Sequence, residues 1–527
     1  MAAGIMKIFS FAQHALPSMH GYYEIVFLHG LKRRGADIYY YACPGLEICD
    51  RAVAPTYKPD CEYCIRESYR VAGQAQMQLR RMDPFMRPQD DAMILDWIES
   101  LDPGQYREAQ FGSFEIGKWT FSSFNTSVNA PSYRHEDSTH RFVYMRFLAA
   151  GLRLCLYISR IIEEFTMADR TLLYNGRMSI SNIPRMIALR KGMTVYLHER
   201  AAYGQRVMHK NGPLYDVKRL LNQWQAWSEI PLTSLELQQT KEYLLGRARG
   251  DRTALNWVAH TAEQKHNLDA IVKRLDISLD KKIWVLFTSS TDELEGQESY
   301  DKRGFESQHQ WLMMVIMLVR NFPDTQLIIR IHPNIGNKHD DWERRFYRQL
   351  IKKQYPHVIV VAHDDPISTY DLMILADAGL AYVSTCGVEM AARAKPVLLG
   401  GASPYESVAG IISGDTPEKL KNGLKALHAL SKGHENLHLC RSAYRYFNWR
   451  INHQGKMIAS IKPINFESVE LVYSSLDDFA PGKDPALDYF CDTVFQGKDP
   501  AIYPSENEKL TTKAAENNFL HKALYRI

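Results

Sequence analysis

The sequence predicts an α/β protein whose second half forms a doubly wound parallel sheet and whose first part forms another β/α domain. Two observations support this. Between residues 283 and 399, five short apolar runs each end in small polar residues, and helical stretches separate most of them. Apolar strands that alternate with helices are typical of parallel sheets covered on both faces. The chain also opens with "MKIFSF", a helical stretch and "ADIYYYA", a strand-helix-strand unit in which Gly35 ends the helix.

The five runs place polar groups at the ends of predicted strands. They are "IWVLF" before "TSS", "LIIRI" before "HPN", "VIVV" before "AHDD", "LAYV" before "STCG" and "PVLL" before "GGAS". The carboxyl ends of parallel strands share one edge of the sheet, and ligands bind in the crevice at that edge. We therefore expect Thr288 with its neighbour Ser289, His332, Asp364 and Ser384 to line one crevice.

A chain of 527 residues is too long for one hydrophobic core, so two domains with additions are expected. In the helix "LTSLELQQTKEYLLGRARG", Thr233 is the expected N-cap and Gly250 the expected stop. The predicted parts are an N-terminal, acceptor-binding β/α domain (1–210) with a helical insertion (about 60–165), a helical connector (211–280), a nucleotide-sugar-binding β/α domain (281–415) and C-terminal helices with a tail (416–527).

The composition is that of a soluble globular protein. Hydrophobic residues make up 45% and charged residues 24% of the chain, and the net charge of +4 gives no strong case for a nucleic-acid partner. The N-terminus does not resemble a signal peptide. The apolar segment "RFVYMRFLAAGLRLCLYISRIIEEF" carries Arg146, Arg153 and Arg160, which favours a core or amphipathic helix over a membrane span. Peripheral contact with a membrane stays an alternative.

Four of the eight cysteines lie close together in the sequence, at Cys43, Cys49, Cys61 and Cys64. The motif "CEYC" has the spacing of half a zinc knuckle, but no second CxxC follows. Free loop thiols, or a disulfide that forms only on oxidation, are the favoured interpretation. A non-catalytic, metal-binding scaffold is the alternative from a different class of function.

The segment "STCGVEMAARAKPVLL" predicts an anion site. Ser384 and Thr385 provide hydroxyls, Gly387 permits close approach of the backbone, and a helix begins near residue 388. An ordinary Ser/Thr helix cap is the structural alternative. His332 can donate a hydrogen bond to a phosphate, and a charge as imidazolium. Glu389 can accept hydrogen bonds from a ribose, or it is simply a surface residue. Together these groups indicate a nucleotide site.

Several motifs are missing from the sequence. It contains no GxxxxGK[ST] loop and no GxGxxG after the first strand, which argues against a P-loop NTPase and a standard dinucleotide enzyme. A convincing DxD is also lacking. We therefore expect no cofactor and no obligatory metal, with cationic and helix-end groups stabilising the leaving phosphate instead.

The segment "LIIRIHPN", followed by "HDDPISTYDLMILADAGLAYVSTCGVEMAARAKPVLLGG", resembles the bacterial capsule polysaccharide biosynthesis family, which includes Kdo transferases. The resemblance covers roughly residues 170–415 and is strongest over 325–401. It implies a GT-B-like fold with two Rossmann-like domains facing across a cleft, to which this chain adds helical insertions and a C-terminal extension. It also implies that His332, Pro333, Ser384 and Thr385 hold the donor phosphate.

The resemblance implies a metal-independent glycosyltransferase. The favoured donor is CMP-linked, carrying Kdo or a sialic-acid-like sugar, and the acceptor is a surface polysaccharide or glycolipid. A polyol-phosphate transferase with a CDP-linked donor and a sugar-nucleotide 2-epimerase of the same fold are the alternatives. A cytoplasmic enzyme at the inner membrane face, beside a polysaccharide export or assembly complex, is expected.

Sugar transfer needs a base near the acceptor hydroxyl, and we expect it in the N-terminal domain. Glu199, after the run "MTVYL", is the first candidate, and His14 and His198 are the next. Asn175 and Arg177, at another strand end, are expected to orient the acceptor or the donor carboxylate. For each of these residues, a purely structural role is the alternative.

Overall fold

The computed structural model divides the chain into two compact units. Unit 1 contains Met1–Tyr215, Asp292–Glu298 and Gln454–Ala501, and unit 2 contains Asp216–Thr291, Ser299–His453 and Ile502–Ile527. The described residues are 5–12, 18–49, 60–212, 216–250, 267–290, 292–297, 302–338, 341–464, 468–510 and 516.

The first part of the chain alternates strands with helices, apart from a run of four helices in the middle. Its elements are β1 (Lys7–Ala12), α1 (Met19–Arg33), β2 (Asp37–Ala42), α2 (Cys61–Gln74), α3 (Asp90–Glu99), α4 (Ile116–Val128), α5 (Ser138–Ile162), β3 (Arg170–Tyr174), α6 (Ser179–Arg190), β4 (Thr194–Arg200) and β5 (Arg206–Lys210).

Three helices then lead into a second alternating series. These elements are α7 (Val217–Trp227), α8 (Ser234–Ala248), α9 (Leu268–Leu275), β6 (Lys282–Phe287), α10 (Asp292–Glu295), α11 (Gln308–Val319), β7 (Thr325–Arg330), α12 (Trp342–Lys353), β8 (Val358–Val361), α13 (Thr369–Leu375), β9 (Ala378–Ala381), α14 (Cys386–Ala392), β10 (Val397–Leu399), β11 (Ile412–Ser413), α15 (Pro417–Ala429) and α16 (Leu437–Asn448). The tail adds β12 (Ile461–Pro463), β13 (Val469–Leu471), α17 (Pro485–Gln496) and α18 (Glu506–Lys509).

Unit 1 is built on a five-stranded sheet in the order β2-β1-β3-β4-β5. The first four strands are parallel, and β5 pairs antiparallel with β4. Alternate side chains of β1 enter two different cores: Phe9 and Phe11 pack on one face, and Ile8 and Ala12 pack on the other. The chain leaves β1 toward β2 and later returns to β3 on the other side, so the order of the strands reverses between β1 and β3.

Unit 2 is built on a six-stranded, fully parallel sheet in the order β11-β10-β9-β6-β7-β8. Its central strand β6 also feeds two cores, with Val285 and Phe287 on one face and Trp284 and Leu286 on the other. All five apolar runs form strands of this sheet. The prediction of an α/β protein with two β/α domains and parallel sheets is confirmed.

The two units do not follow the predicted boundaries. The helices predicted as a connector belong to unit 2, as does the stretch up to His453, whereas Gln454–Ala501 belongs to unit 1. The tail returns to unit 1 because α17 packs on α1, where a Cβ on Gly30 would lie only 2.7 Å from the Cys491 sulfur. The predicted N-cap of α8 is present, since Thr233 and Glu236 form a reciprocal capping box.

The apolar segment with three arginines forms α5. By length and composition alone, α5 is the one helix in the described residues that could cross a membrane. Many of its apolar side chains belong to the core of unit 1. Arg160 makes a two-fold hydrogen-bonded pair with Asp90, and Arg153 lies 2.7 Å from Asp91. These contacts fit the core-helix interpretation.

The four clustered cysteines are half-buried thiols, and no disulfide joins them in the described part of the chain. Burial raises the pKa of the Cys43 thiol to about 12, which keeps it protonated at neutral pH. In the described part of the chain, no group of three or more His, Cys, Asp and Glu side chains could hold a metal ion. The described residues therefore offer no preformed metal site to support the alternative function of a metal-binding scaffold.

Candidate functional site

The sheet of unit 2 reverses its strand order between β6 and β9. From β6 the chain moves outward to β7 and β8, and it then returns to β9 on the opposite side. In open α/β sheets, ligands bind outside the carboxyl ends of the strands at such a reversal. The residues that follow β6 and β9 are Thr288 with Ser289, and Ser384 with Thr385, and His332 follows the adjacent strand β7.

The loop that contains His332 is fixed to the end of β6. The backbone N–H of His332 donates to the Thr288 hydroxyl at 2.8 Å, and the Thr288 backbone N–H donates to the Arg330 carbonyl at 3.1 Å. His332 also caps the 3₁₀ turn Pro333–Asn337, because its Nδ1 accepts from the Asn334 N–H at 3.2 Å. Pro333 takes the first position of that turn, where an N–H is not needed.

This hydrogen bond to Nδ1 indicates which ring nitrogen of His332 carries the proton. An Nδ1 atom that accepts a hydrogen bond carries no proton, so the ring proton sits on Nε2. The imidazolium form that the sequence suggested would lose this cap. In this conformation His332 is suited to donate a neutral hydrogen bond from Nε2, and the additional charge of an imidazolium stays a prediction.

Ser289 follows Thr288 and is held by the side chain of Gln308. Its backbone N–H donates to the Gln308 side-chain oxygen at 2.7 Å, and the Gln308 amide donates to the Ser289 carbonyl at 3.0 Å. Ser289 is 6% exposed, and within the described residues its hydroxyl has no hydrogen-bond partner. A buried hydroxyl without a partner is rare in folded proteins. This hydroxyl is available to bind a polar ligand atom.

The turn after β9 differs in two ways from the predicted helix cap. The Ser384 hydroxyl accepts from the Cys386 N–H at 3.3 Å, and the Thr385 hydroxyl points along α14 to the Glu389 carboxylate at 3.4 Å. The missing Cβ of Gly387 makes room for the side chain of Tyr405, and close approach of a ligand to this backbone stays a prediction. A Cβ there would lie 2.5 Å from the Tyr405 hydroxyl, which donates to the Ser384 carbonyl.

Glu389 is buried, with 1% of its surface exposed, so the surface alternative is wrong. One carboxylate oxygen, Oε1, accepts from an Arg247 guanidinium N–H at 2.9 Å. The other oxygen, Oε2, has no hydrogen-bond partner in the described residues. Arg247 lies on α8, in the stretch predicted as a connector, and no sequence pattern links it to Glu389.

Asp364 does not join this site. It follows β8, the outermost strand on its side, and β7 lies between β8 and the reversal point. Its side chain is 78% exposed and lies 4.0 Å from His363. The sequence order of the runs suggested one crevice for all of them, but the spatial order of the strands leaves Asp364 outside.

A second group of candidate residues lies at the carboxyl edge of the sheet in unit 1. Glu199 is inside β4, near its end, and is 6% exposed. Its carboxylate accepts from the Asn175 side-chain amide at 2.7 Å and from the Arg200 backbone N–H at 2.8 Å. Asn175 adopts a left-handed φ of 61° and also accepts from the Arg177 N–H at 2.9 Å. Sequence reasoning selected Glu199, Asn175 and Arg177, and they lie together.

Two residues near Glu199 were missed. His20, in the first turn of α1, stacks on Tyr174 with ring centroids 3.9 Å apart, and its Nδ1 lies 4.0 Å from Glu199 Oε1. Arg206, the first residue of β5, lies 4.0 Å from the same oxygen. The segment "MHG" at the start of α1 and the alternation in "RVMHK" were the available signals, but neither was assigned a role.

The structure does not support the two other candidates for the base, His198 and His14. His198 is fully buried between aromatic rings, with centroids 5.2 Å from Phe27 and 5.8 Å from Tyr174. Burial, together with the nearby Arg206 charge, lowers its pKa far below the usual value. A fully buried histidine with so low a pKa is not suited to act as the base. His14 lies outside the described residues.

Comparison with known proteins finds no matching family model and no matching curated protein. Solved structures with partial similarity include "Thermosulfurimonas dismutans KpsC, beta Kdo 2,4 transferase", with 13% identity, 52% of this chain and 78% of that chain covered, and a TM-score of 0.32. A UDP-GlcNAc 2-epimerase from Methanocaldococcus jannaschii has 10% identity, coverages of 84% and 98%, and a TM-score of 0.27. The spinosyn rhamnosyltransferase SpnG has 9% identity, coverages of 85% and 97%, and a TM-score of 0.28. Similarities this low carry no argument about reaction or substrate.

Proposed function

We propose that the protein is a glycosyltransferase that uses a nucleotide-activated sugar. The observation that carries the proposal is the group of donors at the strand reversal of unit 2. There, a neutral imidazole and three hydroxyls follow strands β7, β6 and β9 without a P-loop or a glycine fingerprint. Hydrogen-bond donors at this edge of an open sheet suit the phosphate groups of a nucleotide.

In this proposal, His332 donates from Nε2 to the phosphate that leaves with the nucleotide. The hydroxyls of Ser289 and Ser384 donate to further phosphate oxygens, and the Thr385 hydroxyl does the same when it turns away from Glu389. The partnerless Oε2 of Glu389 accepts from a ribose hydroxyl. Neutral donors in a fixed geometry stabilise developing negative charge well, because they need no rearrangement during the reaction.

Unit 1 supplies the base. We assign this role to Glu199, which accepts the proton of the acceptor hydroxyl as the new glycosidic bond forms. Asn175 and the Arg200 backbone hold the carboxylate in place through hydrogen bonds of 2.7 and 2.8 Å. A fixed base within reach of the hydroxyl contributes about 10²- to 10⁴-fold to such a reaction.

The donor class and the setting come from the sequence resemblance. We propose a CMP-linked donor that carries Kdo or a sialic-acid-like sugar, and a surface glycan or glycolipid as acceptor. The enzyme would work without an obligatory metal at the inner face of a bacterial membrane, where glycan assembly and export take place.

A donor panel tests the proposal. The purified protein is incubated with CMP-Kdo, CMP-sialic acid, a CDP-linked polyol and UDP-GlcNAc, each with a glycan acceptor, and free nucleotide and glycan product are both measured. We expect equal amounts of CMP and sugar-extended glycan. Glu199→Gln should lower kcat by about 10²-fold or more, whereas Glu99→Gln, an exposed residue of α3, should not.

Three outcomes contradict the proposal. Release of no nucleotide from any donor removes the transferase activity. A change in the sugar of UDP-GlcNAc without glycan extension identifies an epimerase. Full activity of Glu199→Gln leaves the transferase in place but removes the assigned base.

A further inference from the structure

Arg206 is a buried cation that contacts several neighbouring groups. The residue has no exposed surface, and its guanidinium carbon lies 3.6 Å from the centroid of the Tyr23 ring. Its backbone pairs with that of Lys456 through two hydrogen bonds of 2.8 and 2.9 Å. Burial lowers the pKa of Arg206, but an arginine starts so high that it stays charged. The guanidinium therefore presents a fixed positive charge to its neighbours.

One of those neighbours is His20. A guanidinium nitrogen of Arg206, Nη1, lies 3.4 Å from His20 Nδ1. A guanidinium carries only N–H groups and can only donate, so Nδ1 has to accept. The proton of a neutral His20 ring must then sit on Nε2. A second proton on Nδ1 would point at the guanidinium.

Glu199 has the opposite effect on the protonation of His20, because a carboxylate 4.0 Å away favours a charged imidazole. This carboxylate already accepts from Asn175 and from the Arg200 backbone, and Arg206 lies just as close to it as His20 does. Arg206 is also nearer to Nδ1 than Glu199 is. Among the described residues, the titratable and charged groups near the His20–Arg206 pair include Tyr23, Tyr174, His198, Glu199 and Arg200. The shorter contact of Nδ1 is therefore the one with a group that can only donate, which favours the neutral ring.

His20 lies where a ligand is expected. Its helix α1 follows β1, and the strand order of unit 1 reverses between β1 and β3. The side chain is 20% exposed, compared with 7% for that of Glu199, and the stacked Tyr174 ring fixes its plane. Open α/β sheets present ligand-binding groups at this position.

We propose that His20 acts in the sugar transfer as a neutral hydrogen-bond donor through Nε2, and that Arg206 is the positioning residue that sets this tautomer. The inference rests on the proposed function for its substrate. His20 keeps its proton throughout, and it donates to an oxygen of the transferring sugar or of the acceptor. The proton of the acceptor hydroxyl goes to Glu199.

Two substitutions of His20 distinguish a donor from a base. In His20→Gln, the amide N–H takes the place of the Nε2–H, whereas His20→Asn is too short to reach that position. We expect His20→Gln to keep kcat within about tenfold of wild type and His20→Asn to lose about 10²-fold, the cost of removing one preorganised donor. Equal and severe losses in both variants would identify His20 as a proton acceptor. Full activity in both would remove it from the reaction.

The tautomer itself is measured without any turnover. Long-range ¹H–¹⁵N spectra of the labelled protein at pH 7, with His20→Gln used to assign the signal, should show Nε2 protonated and Nδ1 unprotonated. In Arg206→Met the Nδ1 signal should move toward the protonated form, and in Arg206→Lys it should move less. A protonated Nδ1 in the wild type contradicts the inference. Because this readout needs no sugar donor, it separates failure of the inference from failure of the proposed function.

Discussion

The backbone N–H of His332 donates a hydrogen bond of 2.8 Å to the side-chain hydroxyl of Thr288. The two residues follow adjacent parallel strands, β7 and β6, at the edge where the sheet of unit 2 reverses its order. The bond fixes the loop that contains the imidazole relative to the reversal point. A threonine at the end of one strand thereby positions the proposed phosphate donor at the end of the next.

Replacing Thr288 tests this relationship. Thr288→Val keeps the shape of the side chain but removes the acceptor, so the His332 N–H loses this partner in a partly buried place. We expect the free energy of unfolding to fall by about 1–3 kcal/mol and nucleotide affinity to fall with it. Thr288→Ser keeps the hydroxyl and should stay close to wild type. Denaturant titration measures the stability and nucleotide titration the affinity. Identical behaviour of Thr288→Val and Thr288→Ser would contradict the positioning role of the Thr288 hydroxyl.

Gly387 makes room for Tyr405, and this is testable by a double-mutant cycle. A Cβ on residue 387 would lie 2.5 Å from the Tyr405 hydroxyl and 3.2 Å from the ring carbon that carries it. We expect Gly387→Ala to destabilise the protein by about 1–3 kcal/mol, the usual cost of overpacking. In a Tyr405→Phe background the same change should cost clearly less, because the closest atom is gone. Equal costs in both backgrounds would show that the glycine is needed for another reason.

The buried pair of Arg247 and Glu389 joins α8 to α14. The side chains are 16% and 2% exposed, and their closest atoms lie 2.9 Å apart. Removing one partner of a buried pair leaves an uncompensated charge, so Arg247→Met should cost about 3–5 kcal/mol. The double variant Arg247→Met/Glu389→Leu should recover most of that loss in a denaturant titration. If the double variant is no more stable than the single one, the pair does not carry the stability assigned to it.

Glu24 should make the stability of the protein depend on pH. The carboxyl group is buried in unit 1, where it accepts from the Ser10 and Tyr40 hydroxyls at 3.1 and 3.0 Å. Burial raises its pKa to about 8, against the opposing effect of the two hydrogen bonds. The folded protein therefore holds this proton at pH values where the unfolded chain, with an ordinary value of 4.5, has lost it.

The sign of the effect follows from this difference. The stabilising contribution is fully present below about pH 4.5 and is lost as the pH rises toward 8. Glu24→Gln stays neutral, so it should remove this part of the slope. We expect the variant to exceed wild type by about 1 kcal/mol or more at pH 8 and to match it more closely at pH 5. Parallel stability curves for the two proteins would show that Glu24 titrates normally.

Much of the fold was predictable because parallel strands leave a strong local signal. Each apolar run in the second half became a strand, and the polar residues after β6, β7 and β9 fell at the same edge. The order of the strands in space was not predictable, since periodicity does not record which strands are neighbours. For that reason Asp364 was grouped with His332 although it follows the outermost strand.

The residues that sequence reasoning missed act through contacts between distant segments. Arg247 reaches Glu389 across 142 positions, and Arg206 lies 186 positions from His20. Such pairs have no spacing that reveals them. The prediction of His198 as a base lost support for a different reason. A histidine near the end of a strand looks the same in sequence whether it faces a ligand or the core.

Nucleotide binding by the His332 site tests the central claim most directly. Melting temperatures are measured with CMP, CDP, UDP and GDP for the wild type, His332→Asn and His438→Ala. His332→Asn keeps an acceptor for the Asn334 N–H but lacks the Nε2 donor, and His438 is an exposed control in unit 2. A nucleotide at about 100 times its Kd stabilises the fold by about 2.7 kcal/mol, a readily measured shift. We predict a shift with CMP or CDP that is lost in His332→Asn and kept in His438→Ala. If no nucleotide shifts the wild type, or if the shift survives in His332→Asn, His332 is only a turn residue and the proposed donor site is wrong.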